Sequence, residues 1–317
     1  MIHNTLKPYI SVGTQTRKTF EETVDDFYND FDSHLYIRGQ AGVGKTWYVT
    51  NSKPKNIELC HIEGNISRWL FVKKIATFLH MCGWPANTKN ILDMSAEKRA
   101  ELKFVKKLPD VVVYVDDCAT MFEKEFCDTM KIMLEREISD KMVYNISLGS
   151  QYTQSESFEK DAMDNFKVDY VPGFTIPFYG KVKFIFTMNR ALSTDIDIAE
   201  YKKSQGKKSN LKILNDMEDK YAIFSRLEYK DLYMKKDEYW GWIADLVLNN
   251  NLLKGATKRD KEEMLMWTYD NWDNLREKSV RMIKQKLWKD LEKSKTRPKH
   301  DYKSRWYALV DNRSQVA

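Results

Sequence analysis

A chain of 317 residues with 42% hydrophobic and 13% aromatic residues can bury one large core or two smaller ones, which excludes a disordered protein. No run of about 18 apolar residues occurs and the N-terminus lacks an apolar signal core, so no membrane partner and a cytoplasmic location are expected. The net charge of +6 is mild, and the four cysteines at 60, 82, 118 and 127 lack the short paired spacing of a zinc site, so free buried thiols are expected.

Residues 1–18 read as an irregular leader, because Pro8 and Gly13 interrupt any period. Thr19-Phe20-Glu21-Glu22 fits a capping box that opens a helix to about Phe31. A short apolar strand, His34-Leu35-Tyr36-Ile37-Arg38, then leads into Gly39-Gln40-Ala41-Gly42-Val43-Gly44-Lys45-Thr46. This segment meets G-x-x-x-x-G-K-[ST] at every constrained position. Glycines 39, 42 and 44 permit the backbone angles that turn N–H groups inward as an anion nest, and the helix that follows adds its positive end. Lys45 is placed to reach the β and γ phosphates, and the Thr46 hydroxyl to hold Mg²⁺. The alternative is a glycine-rich turn that matches by chance. The preceding strand and a second motif downstream favour binding of a nucleoside triphosphate.

Ile57 to Ile62 reads as a second strand. Ser67 caps a helix to about Cys82, with Leu70, Val72, Ile75, Phe78 and Leu79 on its apolar face. A loop-rich stretch from Gly83 to Pro109 precedes Val111-Val112-Val113-Tyr114-Val115, the kind of run a strand buried on both faces of a parallel sheet requires. It ends in Asp116-Asp117. At a strand's carboxyl end the first acid can hold Mg²⁺ and the second can polarise an attacking water. The alternative is a loop cap or a helix start.

A helix is expected from about Met121 to Glu137, and Lys183 to Met188 makes another buried strand ending at Asn189, an amide able to orient that water. Strands alternating with helices argue for a three-layer α/β domain with a parallel sheet. The 71 residues between Asp117 and Asn189 exceed one helix and a turn. The excess, about 138–180, holds alternating segments at 143–148 and 166–171 and is read as a β-hairpin insertion. Tyr152, Lys160, Lys167 and Tyr170 in it are candidates to stack on bases or neutralise phosphates. The alternative is an extended sheet edge or a contact with a neighbour.

Tyr221 to Leu227 places Arg226 at the end of an apolar helix. Beyond Tyr229 the pattern is helical throughout, with helices at 238–248, 257–269 and 275–293, the last beginning at Asn274-Leu275-Arg276-Glu277. Lys278 to Arg305 carries eleven Lys or Arg against three acids, a local balance of +8. Such a stripe is a candidate nucleic-acid footprint or, alternatively, a solvated helix face.

In this order the motifs resemble the AAA+ ATPase family over about residues 20–295. The stretch from Phe174 to Asn189 resembles ATPases of tailed bacteriophages and, loosely, viral superfamily 3 helicases. The resemblance implies a P-loop NTPase core at 19–229 with its insertion, a helical lid at 230–296 and a basic tail at 297–317. It implies ATP and Mg²⁺ as cofactors, with residues 39–46 on the nucleotide, Thr46 and Asp116 on the metal and Asp117 as the base. Asn189 would be sensor 1, Arg226 an arginine finger lent to a neighbouring subunit, and Arg276 sensor 2. A homo-oligomeric ring acting on DNA in viral or mobile-element replication follows, in the host cytoplasm if viral. A remodeller of other proteins, such as a helicase loader, clamp loader or assembly chaperone, is the alternative. A phosphoryl transferase is a third reading. One departure from the family is Asp117, where Glu is usual; its shorter side chain predicts slow hydrolysis.

Overall fold

A computed structural model of the chain describes residues 2, 4–30, 33–84, 102–118, 120, 124–134, 178–189, 222–223, 225–249, 252–297 and 299–310. Its elements are α1 (Lys7–Asn29), β1 (His34–Gly39), α2 (Lys45–Asn51), β2 (Ile57–Glu63), α3 (Arg68–Met81), β3 (Asp110–Asp116), α4 (Lys124–Met133), β4 (Val182–Met188) and β5 (Leu227–Leu232). There follow α5 (Lys236–Asn249), α6 (Lys258–Asp270), α7 (Val280–Met282), a π-helical turn (Ile283–Leu287), α8 (Trp288–Thr296) and α9 (Tyr302–Tyr307). Two compact units emerge. One holds Phe27–Arg38 and Ser52–Asp231; the other holds Met1–Asp26, Gly39–Asn51 and Leu232–Ala317. The phosphate-loop segment groups with the helices of the second unit.

The sheet unit has strand order β2-β3-β4-β1-β5. β2 runs parallel to β3, β3 to β4 and β4 to β1, as the βα alternation predicts. Every residue of β4 is buried, and so are residues 111–115 of β3, because both faces are covered. One face carries Val111, Val113, Val115, Phe184 and Phe186 against Phe71, Val72, Ile75 and Leu79 of α3 and Phe126, Met130 and Met133 of α4. Each large side chain so buried contributes about 1.5–3 kcal/mol. Ser67 caps α3 as expected, accepting from the Leu70 N–H at 3.3 Å. Leu70 itself is exposed, because Phe71 takes the core position beside Val72.

Lys183, fully buried in β4, donates from Nζ to the carbonyls of Phe27 and Asp30 and stands 4.0 Å from the Phe27 ring centroid. It thereby supplies donors to carbonyls that the end of α1 leaves without intrahelical partners. β5 corrects the all-helical expectation at its start. Only Leu227 of Leu-Glu-Tyr-Lys-Asp-Leu is buried, as suits a strand at the sheet edge, with Tyr229 stacked on Tyr36 at 5.7 Å and Asp231 paired with Arg38 at 2.8 Å. All four cysteines are free, and burial pushes the Cys60 thiol up to about 12. The hairpin expected at 138–180, with Tyr152, Lys160, Lys167 and Tyr170, lies outside the described residues apart from 178–180.

In the other unit, the expected leader is helical. Pro8 occupies the first turn of α1, where its missing N–H costs nothing. Gly13 lets α1 cross α5 closely: a Cβ there would lie 2.0 Å from the Trp242 nitrogen, and one on Gly241 would lie 1.9 Å from the Tyr9 carbonyl oxygen. Thr19 is internal to α1, its hydroxyl donating to the Gln15 carbonyl at 3.1 Å, so it is not the expected cap. Arg17 pairs with buried Asp245 at 2.6 Å. Thr257 and Asp260 close a capping box on α6.

The helix expected from 275 begins five residues later. Leu275 is bridged to Val310, and Ser279 caps α7 by accepting from the Met282 N–H at 3.0 Å. Residues 301–310 fold back onto these helices, with buried Trp306 donating from Nε1 to the Leu287 carbonyl at 3.2 Å. Among the described residues no helix is long and apolar enough to cross a membrane.

A candidate nucleotide site

Gly39 to Thr46 passes from β1 into α2. Gly42 and Gly44 take φ of 77° and 91°, the left-handed region in which a side chain is strained. Lys45, at the first position of α2, is 7% exposed and donates from Nζ to the Gly39 carbonyl at 2.8 Å and the Gln40 carbonyl at 2.7 Å. The ammonium therefore lies over the loop's own backbone. Thr46 is half-buried in the first turn of α2.

The back of the loop is tied to the C-terminal helices. The Gln40 amide donates to the Met234 carbonyl at 2.6 Å and accepts from its N–H at 3.1 Å. The Tyr239 hydroxyl donates to the Ala41 carbonyl at 2.6 Å and also reaches the Lys278 carbonyl. The Val280 N–H donates to the Gly42 carbonyl at 3.2 Å, and Trp242 Nε1 to the Val43 carbonyl at 3.0 Å. Burial first, then the charge of Glu277, raises the Tyr239 pKa above its ordinary value, so it stays a proton donor. None of Tyr239, Trp242 or Ser279 stands out in the sequence. Tyr239 and Trp242 look like ordinary core aromatics, and only the buried O–H and N–H, each needing an acceptor, hint at more.

The acid pair lies in the sheet unit. Asp116, the last residue of β3, accepts from the Thr187 hydroxyl at 2.6 Å. With its proton given to Asp116, Thr187 accepts in turn from the Tyr114 hydroxyl at 2.7 Å, both side chains being fully buried. A relay of two hydroxyls thus fixes the carboxylate, and Thr187 is a supporting residue the strand pattern conceals. Asp117 adopts φ of 50°, and its N–H donates to the Thr187 carbonyl at 3.0 Å. That turn, at a cost of about 1 kcal/mol for a residue outside its usual region, brings the Asp117 carboxylate to Asn189. Asn189 Nδ2 donates to Oδ2 at 2.9 Å and the Asn189 N–H to Oδ1 at 3.3 Å. Both residues are exposed, at the ends of neighbouring strands.

Arg226 is half-buried in the turn before β5. Its N–H donates to the Ile223 carbonyl at 3.1 Å and its Nη1 to the Ala222 carbonyl at 2.5 Å. Arg276 does not open a helix, contrary to expectation; it is exposed in the link before α7, its N–H donating to the Leu309 carbonyl at 3.3 Å. Thr46 and Asp116 belong to different units. No group of three or more His, Cys, Asp or Glu gathers among the described residues as a ready cation cage.

No family model matches the sequence, and no curated protein does. Among solved structures the chain is similar to a closed state of Hsp104 with ATPγS and casein, at 12% identity and TM-score 0.37, over 83% of this chain and 41% of that one. It is also similar to Bacteroides sp. Pif1 with ADP-AlF4, at 13% identity and TM-score 0.28, over 77% and 48%. Rif2 in complex with the C-terminal domain of Rap1 aligns over 98% and 90%, at 9% identity and TM-score 0.34. The chain spans less than half the length of the first two, and likenesses this weak say nothing of activity. The fold stands on its own geometry: a parallel sheet with flanking helices, G-x-x-x-x-G-K-T between β1 and α2, Asp-Asp closing β3 and helices at the C-terminus, consistent with a P-loop NTPase core.

Proposed function

We propose that this protein is a Mg²⁺-dependent ATPase that works as an oligomer on DNA. The observation that carries the reading is the Asp117–Asn189 pair at the end of β3 and β4, in a chain whose β1 runs into a phosphate loop. The loop N–H groups and Lys45 hold the triphosphate. Thr46 and Asp116 are the residues that would hold Mg²⁺, and the ion would supply neutralisation of charge on the phosphate oxygens. Asp117 accepts a proton from the attacking water, and Asn189 fixes the direction of that carboxylate and of the water. The shorter acid at 117 makes turnover slow relative to a glutamate. Arg226 is assigned to the γ phosphate of a neighbouring subunit, so that hydrolysis reports assembly, and Arg276 to the nucleotide from the helical side.

Support for DNA comes from the basic C-terminal stretch. Arg281, Lys284, Lys289, Lys293, Arg297, Lys299 and Lys303 are exposed between Val280 and Tyr307. Charge of this density binds a polyanion by releasing its counterions, so binding weakens steeply with salt. Replication of a virus or mobile element is the setting that the family resemblance suggests. ATP hydrolysis measured with and without single-stranded and duplex DNA tests the reading; the absence of both stimulation and salt-dependent binding refutes the DNA role. One observation favours the second reading, a remodeller of a partner protein. Lys286, Lys295 and Arg305 are engaged by Glu277, Asp260 and Asp290, which thins the stripe. A stoichiometric protein partner that stimulates hydrolysis where DNA does not identifies that case.

A further inference from the structure

We infer that the C-terminal helices set the shape of the phosphate loop, with Tyr239 and Trp242 as positioning residues for triphosphate binding. This inference rests on the nucleotide reading above. Three successive carbonyls, of Ala41, Gly42 and Val43, are taken by three donors from one side: the Tyr239 hydroxyl, the Val280 N–H and the Trp242 indole N–H. In an extended chain successive carbonyls point to opposite sides. Here the left-handed Gly42 and Gly44 flank Val43, and alternation of this kind turns successive peptide groups the same way.

Across a planar trans peptide, the N–H of one residue points opposite to the carbonyl of the residue before it. Holding the carbonyls of 41, 42 and 43 therefore aims the N–H groups of Gly42, Val43 and Gly44 away from the helices, as a group of three donors for an anion. Ser279 completes the fit. It sits so close to Gly42 that a Cβ there would lie 2.2 Å from the Ser279 Cβ. The same hydroxyl of Tyr239 reaches the Lys278 carbonyl, so the loop and the start of the basic helical stretch share one donor. Without Tyr239 or Trp242 the freed carbonyl can rotate, and its linked N–H leaves the anion.

The test compares Tyr239→Phe and Trp242→Phe with the parent protein. Tyr239→Phe keeps the ring packed edge-on against Trp272 at 5.2 Å, and Trp242→Phe keeps an aromatic ring beside Phe20. Trp306→Phe is the control, since it also removes a buried indole N–H bond, to the Leu287 carbonyl, with no part of the loop involved. ATP affinity by calorimetry, KM and kcat, and the melting temperature of the nucleotide-free protein are measured on each. The expected result is a rise of about tenfold in Kd and KM for both loop variants, with kcat changed less than about threefold. Trp306→Phe lowers the melting temperature and leaves Kd within about twofold. Unchanged affinity in both loop variants overturns the inference, as does an equal loss in Trp306→Phe. A parent protein that binds no ATP removes instead the nucleotide reading on which the inference stands.

Discussion

Asn189 and Asp117 meet side chain to side chain, the amide donating to the carboxylate at 2.9 Å. The pairing follows from register: β3 and β4 run parallel with Asp116 opposite Thr187, so the residues that leave the two strands emerge together. The left-handed turn at Asp117 then swings its carboxylate across to the neighbouring strand end. Asn189→Ala removes one of the two donors seen on that carboxylate and lowers kcat by about ten- to a hundredfold, while ATP affinity stays within a few-fold. Asp117→Asn lowers kcat by about 10²–10⁴-fold, the usual worth of a general base. Phosphate release and equilibrium ATP binding, measured on the same preparations, check both.

Gly42→Ala combines a strained φ with a collision against Ser279. It is expected to destabilise by about 1–3 kcal/mol or more and to abolish ATP binding. Gly44→Ala meets nothing within 4 Å, so only the φ of 91° opposes it and the loss is smaller. Urea denaturation of the two variants ranks them.

Lys183→Met removes the donor that serves the Phe27 and Asp30 carbonyls while keeping an apolar stem in the sheet. Two carbonyls lose a charged partner, and a loss of about 2 kcal/mol is expected. The same experiment on Lys181, whose partner Asp110 lies at the surface, costs under about 1 kcal/mol.

Hydrogen bonds from Lys286 and then Ser279 hold the Glu277 carboxyl below its ordinary pKa. A carboxylate lowered on folding stabilises the protein above its unfolded pKa of about 4.3, and that stabilisation fades as pH falls through the lower folded value. Stability therefore drops on acidification below about pH 4, and Glu277→Gln flattens that part of the curve in thermal melts across pH 2.5–6.

Arg226→Ala leaves ATP binding intact and stops turnover if its guanidinium serves a neighbouring subunit. Mixing it with Lys45→Ala then restores part of the rate, because each chain supplies what the other lacks. Absence of rescue, or normal hydrolysis by Arg226→Ala alone, rejects the assignment.

The parallel sheet was legible because Val111 to Val115 and Lys183 to Met188 are continuous apolar runs, a signal that needs no partner to interpret. The places of Gly39 to Thr46 after β1 and of Asp116-Asp117 at the end of β3 were legible because each follows an apolar strand run. The first half of α1 was not, since Pro8 and Gly13 read as breakers, although its second half was expected as a helix from Thr19. Pro8 sits where a helix tolerates it, and Gly13 is required by a helix that arrives 228 residues later, at Gly241. Arg276 was misplaced for a related reason. Helical periodicity runs back through Leu275, but the bridge to Val310 and the Ser279 cap hold the true start at Val280. Tyr239, Trp242 and Thr187 carry no local signal, because their roles come from a carbonyl or carboxylate distant in sequence.

The most direct test is phosphate release from ATP in Mg²⁺ by the parent protein, by Lys45→Ala and by Asn189→Ala, each with ATP binding measured in parallel. The account predicts slow turnover by the parent, no binding or turnover by Lys45→Ala, and binding with strongly reduced turnover by Asn189→Ala. A parent protein that neither binds nor cleaves ATP, or a Lys45→Ala variant that hydrolyses as fast as the parent, contradicts it.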